Sequence, residues 1–504
     1  MTKPTQLAQR LLAAAVVCIA LKLSSCTSTL CAFIIFSALA TLAVVLRPRD
    51  PSMTILDKFM MNIDRACQQA SGPCHGHVVA VLDLEPNTQV DLAAAVAHAT
   101  AFAQAHPRMR SFAARASPAL GSSWEEVPGD YDFTPHVTQR AFSSDAQVDA
   151  EIEELTNTPL PLDRPLWAWS LLHIPWHQGQ RRSTCRSVAL LRINHCIGDG
   201  LRLAMAGGMF TFADDGTNAV PALIAKMIAK KKGPASSASK RPSLLNLARD
   251  FLAAATMDKL PSEPASCLHP TPDAVFPPAA RRVLASSIVS FGDVKTIRKA
   301  CPAGTSINDV VLTAFCAALT RYVQRVTPDA PVSDLLVRAL CAVALPGGGR
   351  GMESRLFNNI ILPSMPLCVG TRYGSRLERL EAVRGVMARV KTSAVGSIAV
   401  WLNSVLMALG LEELAGATNV RIFGKHSFVY SNVPAFARTV RIFGDYDVAQ
   451  FRAWYPNMIS QTVFVSYRDT LSFSLVTEPV AGLAQPQLLT DLFAEEVRQW
   501  AEEG

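Results

Sequence analysis

Two uninterrupted apolar runs open the chain. Leu11 to Leu21 holds eleven residues and is ended by Lys22; Leu30 to Leu46 holds seventeen without a charge and is closed by Arg47-Pro48-Arg49. A helix that spans a bilayer needs about 20 apolar residues, with about 17 as the lower limit. The second run therefore predicts a membrane anchor within residues 1–50, and the first run falls short. A cleaved signal peptide using Lys3, Arg10 and the first run is the competing reading, but the longer run that follows at once fits a retained anchor better. Flanking charge does not decide the orientation. A hairpin returning both ends to the cytosol satisfies both flanks, so the expected location is a membrane, endoplasmic reticulum or plasma membrane, with the remaining chain facing the cytosol.

Beyond residue 50 the pattern switches repeatedly between a period of two and a period near 3.6. Val78 to Leu84, Ala168 to Ile174 and Ser187 to Ile193 read as strands, the last two around a polar loop at Trp176 to Thr184. Gln89 to Ala105 and Gly200 to Phe212 read as helices. Residues 214–283 are rich in Lys, Ser and Pro and predict a linker with little to pack, broken by an amphipathic helix at Leu244 to Met257. The linker is either a solvated connector or a basic patch on lipid headgroups. Alternation resumes over 284–504. Ile307 to Val323 is the clearest helix, with Asn308 and Asp309 in its first turn and Val311, Phe315, Ala318, Leu319 and Tyr322 on one face. Leu335 to Leu345, Ser427 to Tyr430, Thr462 to Tyr467 and Leu471 to Thr477 read as strands, and Leu488 to Ala501 as a closing helix. The organisation is thus an α/β chain in two halves, 51–213 and 284–504, joined by the linker.

Composition narrows the class. A hydrophobic fraction of 49% against 18% charge excludes disorder and points to large buried cores or membrane contact. The net charge of +7 suits an anionic surface or a phosphate-bearing ligand. No basic stripe interleaved with aromatics is present, so no nucleic-acid partner is expected. The twelve cysteines show no framework spacing and suit a reducing compartment. Cys67, Cys74, His75 and His77 form the one metal-like group, and no second pair answers them at finger spacing, so no metal is expected.

The most informative segment is Asn194-His195-Cys196-Ile197-Gly198-Asp199-Gly200. It follows a buried-strand pattern, so the strand end projects an imidazole from a rigid edge, and Gly198 and Gly200 would supply positive φ in the turn. Held this way, His195 is placed to take a proton from a hydroxyl. Asp199 lies too far along the turn to be assumed to touch His195 and is expected to pin the turn through hydrogen bonds or an arginine. No G-x-S-x-G elbow signals a serine acyl-enzyme.

These residues resemble the HHxxxDG motif of the wax ester synthase/diacylglycerol acyltransferase family, with Asn194 in place of the first histidine. Other segments resemble the same family in the same order: Thr54 to Phe59, His106 to Arg110, Tyr131 to Val137, Pro159 to Trp167, Asn308 to Leu312, and Ser431 to Pro434. In the last, Ala435 and Phe436 replace Gly-Pro. The resemblance implies two chloramphenicol-acetyltransferase-like subdomains with a reaction tunnel at their interface. It implies acyl transfer from acyl-CoA, as co-substrate and with no cofactor, to a long-chain alcohol or diacylglycerol. It makes His195, Asp199 and Gly200 the catalytic set. Asn194, Pro165, Leu166, Trp167, Asn308, Asp309 and Asn432 become the substrate-binding set. Within it, Trp167 is read as tunnel wall, and Asn308 as a donor toward the oxyanion, as a brace of the tunnel wall or as a helix cap. A membrane-anchored lipid-binding homologue that kept the fold and lost the chemistry is the alternative.

Overall fold

The computed structural model describes residues 57–58, 60–61, 76–117, 121–175, 186–219, 244–277, 280–345, 356–408 and 411–503. The expected anchor lies outside them, as do Cys67, Cys74 and His75. Among the described residues, no helix is long and apolar enough to cross a membrane.

The first half runs β1 (His77–Leu84), α1 (Leu92–Ala105), β2 (Ser111–Ser117), β3 (Gly121–Glu126), β4 (Val137–Ala141), α2 (Asp145–Asn157), β5 (Trp167–His173), β6 (Ser187–Asn194), α3 (Gly200–Met205) and β7 (Thr211–Phe212). Residues 244–300 add α4 (Leu244–Ala255), β8 (Val283–Ser290) and α5 (Phe291–Ala300). Then follow α6 (Ile307–Val326), β9 (Val337–Cys341), β10 (Val343–Ala344), β11 (Ile360–Ile361), β12 (Ser364–Leu367), α7 (Arg376–Thr392), α8 (Val395–Ala408) and α9 (Glu412–Gly424). The chain closes with β13 (Phe428–Pro434), β14 (Val440–Ile442), β15 (Tyr446–Trp454), β16 (Ser460–Tyr467), β17 (Thr470–Thr477) and α10 (Pro486–Glu503).

Two large mixed sheets organise these elements. One has the order β4-β5-β6-β1-β15-β14-β7, the other β12-β9-β13-β16-β17-β8. The sheets do not follow the two halves of the sequence. After β13 the chain leaves the second sheet, runs β14 and β15 antiparallel into the first beside β1, and returns as β16, parallel to β13. This crossing stitches the layers together. Each sheet carries its own apolar core, the second built around α6, whose Val310, Phe315, Leu319 and Tyr322 are fully buried.

Three local expectations are corrected. The helix predicted over Gly200 to Phe212 stops at Met205, because Gly207-Gly208 follow and Gly208 takes φ +92°. The rings of His106 and His98 then bond to the Gly207 and Gly208 carbonyls at 2.9 and 2.8 Å. The strand predicted over Leu335 to Leu345 is split into β9 and β10. The described part of the linker packs: Met257, Leu268 and Phe276 are buried. Buried Glu263 holds the segment to β9 and β13 by accepting from Arg338 N at 2.6 Å and from the Ser427 hydroxyl. A sparse apolar pattern sufficed because Met257, Leu268 and Phe276 are buried and Glu263 supplies polar anchors.

Candidate active site

The strand β6 ends at Asn194, and the chain turns at once. Asn194 N donates to Leu166 O at 2.8 Å, His195 N to Gly76 O at 2.8 Å, and the Asn194 side-chain oxygen accepts from Cys196 N at 2.9 Å. The amide oxygen thus nucleates the turn as an Asx-type bond does. Asp199 caps α3: one carboxylate oxygen accepts from Arg202 N at 2.9 Å, the other from Asn359 N at 2.9 Å. The expected pinning role is seen, through backbone N–H groups. The expected positive φ is not, since neither Gly198 nor Gly200 is among the positive-φ residues. Gly198 is favoured instead by close approach, because a Cβ there would stand a tight 3.3 Å from Phe357 N.

A buried brace lies behind the turn. Asp57 is fully buried and pairs with Arg108 at 2.7 Å, while Arg108 also donates to Ile197 O at 3.0 Å. The Asn358 amide donates to Asp57 at 2.8 Å and to His195 O at 2.7 Å. Three side chains from distant parts of the chain therefore hold the backbone that carries the imidazole. Asp57 and Arg108 fell inside recognised segments but had no assigned task, and Asn358 carried no signal: an Asn-Asn pair after a Gly-rich stretch reads as loop.

His195 itself is buried, 8% exposed, with its ring 5.0 Å from that of Tyr455. Among the described residues, Nδ1 has no hydrogen-bond partner. Burial pushes the imidazole below its ordinary value, and the carboxylates of Asp199 and Asp57 oppose that. A neutral imidazole results at neutral pH, the form that accepts a proton.

His195 and Gly200 line a cavity of about 150 Å³ between the two sheets. Ala80, Ile193 and Ala453 contribute from the first sheet, Val429, Val433 and Val463 from the second, and Phe210, Phe423 and Phe436 fill around them. Among the described residues of the lining, Ser431, Trp454, Tyr455, Asn457 and Gln461 also carry polar side-chain atoms. The interfacial cavity expected from the resemblance is present, and its wall is overwhelmingly apolar.

The remaining expected residues sit behind that wall. On β13, Val429, Ser431 and Val433 face the cavity, so strand alternation turns Tyr430 and Asn432 the other way. There the Asn308 side-chain oxygen accepts from Asn432 at 2.9 Å and from the Tyr430 hydroxyl at 3.1 Å. Asn308 is not the cap of α6. Ser306 is, and Asp309 closes the capping box by accepting from Ser306 N at 2.8 Å. Trp167 donates to Met109 O at 2.6 Å and packs with Phe133 and His136, while Pro165 and Leu166 are buried beside it. None of Pro165, Leu166, Trp167, Asn308, Asp309 and Asn432 lines the cavity. They set the position of β6, β13 and α6.

Comparison with known proteins places this arrangement. The wax ester synthase/diacylglycerol acyltransferase catalytic domain matches residues 53–311, and the C-terminal domain of the same family matches 358–500.

The chain belongs to the wax ester synthase/diacylglycerol acyltransferase family.

It is an acyltransferase of that family. Wax ester synthase/diacylglycerol acyltransferase 5 of Arabidopsis thaliana is 24% identical over 74% of this chain and 79% of its own length. A putative diacyglycerol O-acyltransferase of Mycobacterium bovis is 25% identical over 55% of this chain and 60% of its own. Among solved structures, the wax ester synthase/diacylglycerol acyltransferase of Marinobacter aquaeolei VT8 superposes with a TM-score of 0.56 at 17% identity, covering 90% of this chain and 99% of that one. The first condensation domain of the calcium-dependent antibiotic synthetase also gives a TM-score of 0.56, at 16% identity over 88% of this chain and 95% of that one. These likenesses establish the shared two-subdomain fold.

Proposed function

We propose that the chain esterifies an apolar alcohol, either a long-chain alcohol or diacylglycerol, with the acyl group of an acyl-CoA, and that His195 is the general base. The carrying observation is a buried imidazole, kept neutral by desolvation, on the wall of an apolar cavity between the two sheets. His195 takes the proton of the acceptor hydroxyl as the oxygen attacks the thioester carbonyl carbon. The tetrahedral oxyanion collapses with cleavage of the C–S bond, and the departing thiolate takes the proton back from the imidazolium. The products are the ester and free coenzyme A, and the proton balance closes on His195 without a further group.

Base assistance of this kind is worth about 10²–10⁴ in rate. The rest is expected from holding both substrates in line within the cavity. Asn194 does not weaken this reading, because it keeps a hydrogen-bonding task in the turn while His195 keeps the base position. Labelled acyl-CoA offered with long-chain alcohol or with diacylglycerol tests it. The wild-type chain should form labelled ester, and His195→Ala should lose about two or more orders of magnitude of turnover at an unchanged melting temperature. A folded His195→Ala variant with near-full turnover would exclude His195 as the base. A folded wild-type chain that takes up lipid without turnover would establish the lipid-binding alternative.

A further inference from the structure

We propose that the outward face of α4 is a docking surface for an anionic lipid bilayer, set against the cavity wall through α8. The helix is sharply two-faced. Inward it places Asp250 and Ala254, both 7% exposed, followed by the buried Met257. Asp250 accepts from Ala394 N at 2.8 Å and from the Ser393 hydroxyl at 3.3 Å, which fixes α4 to the start of α8. Outward it places Leu245 at 80% and Leu252 at 64% exposure, seven positions apart and so on one stripe, with exposed Ala248 and Ala255 between and beyond. Arg249 is the one charged residue on that side. Scattered exposed leucines need no explanation, but a helical stripe of apolar side chains does.

Charge names the occupant. Residues 220–243, immediately before α4, contain Lys226, Lys230, Lys231, Lys232, Lys240 and Arg241 and no Asp or Glu. An apolar stripe joined to a purely basic segment suits a surface that offers hydrocarbon and negative headgroups together. A second copy of the chain would bring the same positive charge to the contact.

The position relative to the cavity is short-range. Gly396 lets α8 lie against β11, since a Cβ there would stand 2.8 Å from Ile361, and the neighbouring Ile360 lines the cavity. Val395 and Ala399 of α8 pack on the cluster that contains Phe423 and Val429, both cavity-lining. A single helix thus separates the stripe from the cavity wall. Delivery of a bilayer-dissolved acceptor by this route rests on the function proposed above, whereas docking itself does not.

Hydrogen–deuterium exchange on the full-length chain separates the two and is blind to any attachment elsewhere. Vesicles of phosphatidylcholine with phosphatidylserine should slow exchange across 244–255, and vesicles of phosphatidylcholine alone should do so far less, with the protection lost at high salt. The variant L245E/L252E should lose this local protection, with vesicle affinity at α4 down about ten-fold or more. Its apparent KM for a bilayer-dissolved acceptor should rise while turnover of a short soluble alcohol is unchanged. Unaltered exchange at 244–255 with both kinds of vesicle would overturn docking, and equal protection by both would overturn the anionic assignment. A large fall in the melting temperature of L245E/L252E without vesicles would also overturn it, since the leucines would then belong to internal packing. A wild-type chain inactive on every acceptor would sink the proposed function and leave the exchange result standing.

Discussion

His195 carries its chemistry as a neutral ring, and its surroundings are built to keep it so. Burial lowers its pKa from an ordinary 6.5, against the pull of Asp199 and Asp57. The unfolded chain therefore binds a proton before the folded one does as pH falls. Stability from this group is complete above the unfolded value and declines as pH drops from 6.5 toward the lower folded value. The same shift sets the rate profile: kcat/KM should stay flat from neutral pH down through 6.5, then fall with the folded pKa. A profile half-lost at pH 6.5 would show an ordinary, solvated histidine. Asp57→Asn is expected to act on both counts. It leaves Arg108, 12% exposed at its side chain, without its buried counter-charge, a loss of about 3–5 kcal/mol by thermal or denaturant unfolding. It also removes one of the charges that raise the His195 pKa, so the acid limb of the surviving activity should move to still lower pH. An unchanged limb and melting temperature would remove Asp57 from the brace.

Single elements were legible where local signals and burial agreed. The strand that ends just before His195, the helix from Ile307 and the closing helix all have strong periodicity, and the structure has them within a few residues. Legibility failed where a contact made elsewhere decided the geometry. The sequence makes Gly198 a source of positive φ, whereas what favours glycine there is the close approach of Phe357, which lies far along the chain. For Asn308 the cap reading fails, since the capping bonds go to Ser306 and Asp309, while its bonds to Tyr430 and Asn432 brace β13 behind the cavity wall, the other task its position allows. Asp199 was legible because a carboxylate just before a helix start has one common use. It accepts two backbone N–H bonds, one on each oxygen. Asp199→Asn keeps a single acceptor oxygen and turns an NH₂ toward the other N–H, so a loss of about 1–3 kcal/mol is expected together with lost activity. Equal unfolding midpoints with a clean fall in kcat would instead make Asp199 a direct participant.

The whole molecule shows why the site could be located but not assembled from sequence. The histidine turn, the Asp57–Arg108 pair and Asn358 come from segments separated by as much as 301 positions, and the second sheet closes the cavity only because β14 and β15 cross into the first. Residues just past the first 56 thus have a structural task that their place beside the apolar N-terminal run conceals: Asp57 enters the brace, and Met60 and Met61 are buried in the first core. Two shortened chains separate these roles. One beginning at Ser52 retains the brace, and it should fold and transfer acyl groups to a short soluble alcohol at close to the full-length rate. One beginning at Gly76 loses Asp57 and leaves the Arg108 guanidinium and the Asn358 amide without it. Its unfolding midpoint should fall by about what Asp57→Asn costs plus the cores lost with two buried methionines, each worth about 2–5 kcal/mol when removed. Adding back Asp57 through a chain beginning at Ser52 but carrying Met60→Ala and Met61→Ala should restore the acid limb of the rate profile and not the full stability. If the chain from Gly76 matched the one from Ser52 in both midpoint and turnover, the N-terminal brace would have no part in holding His195.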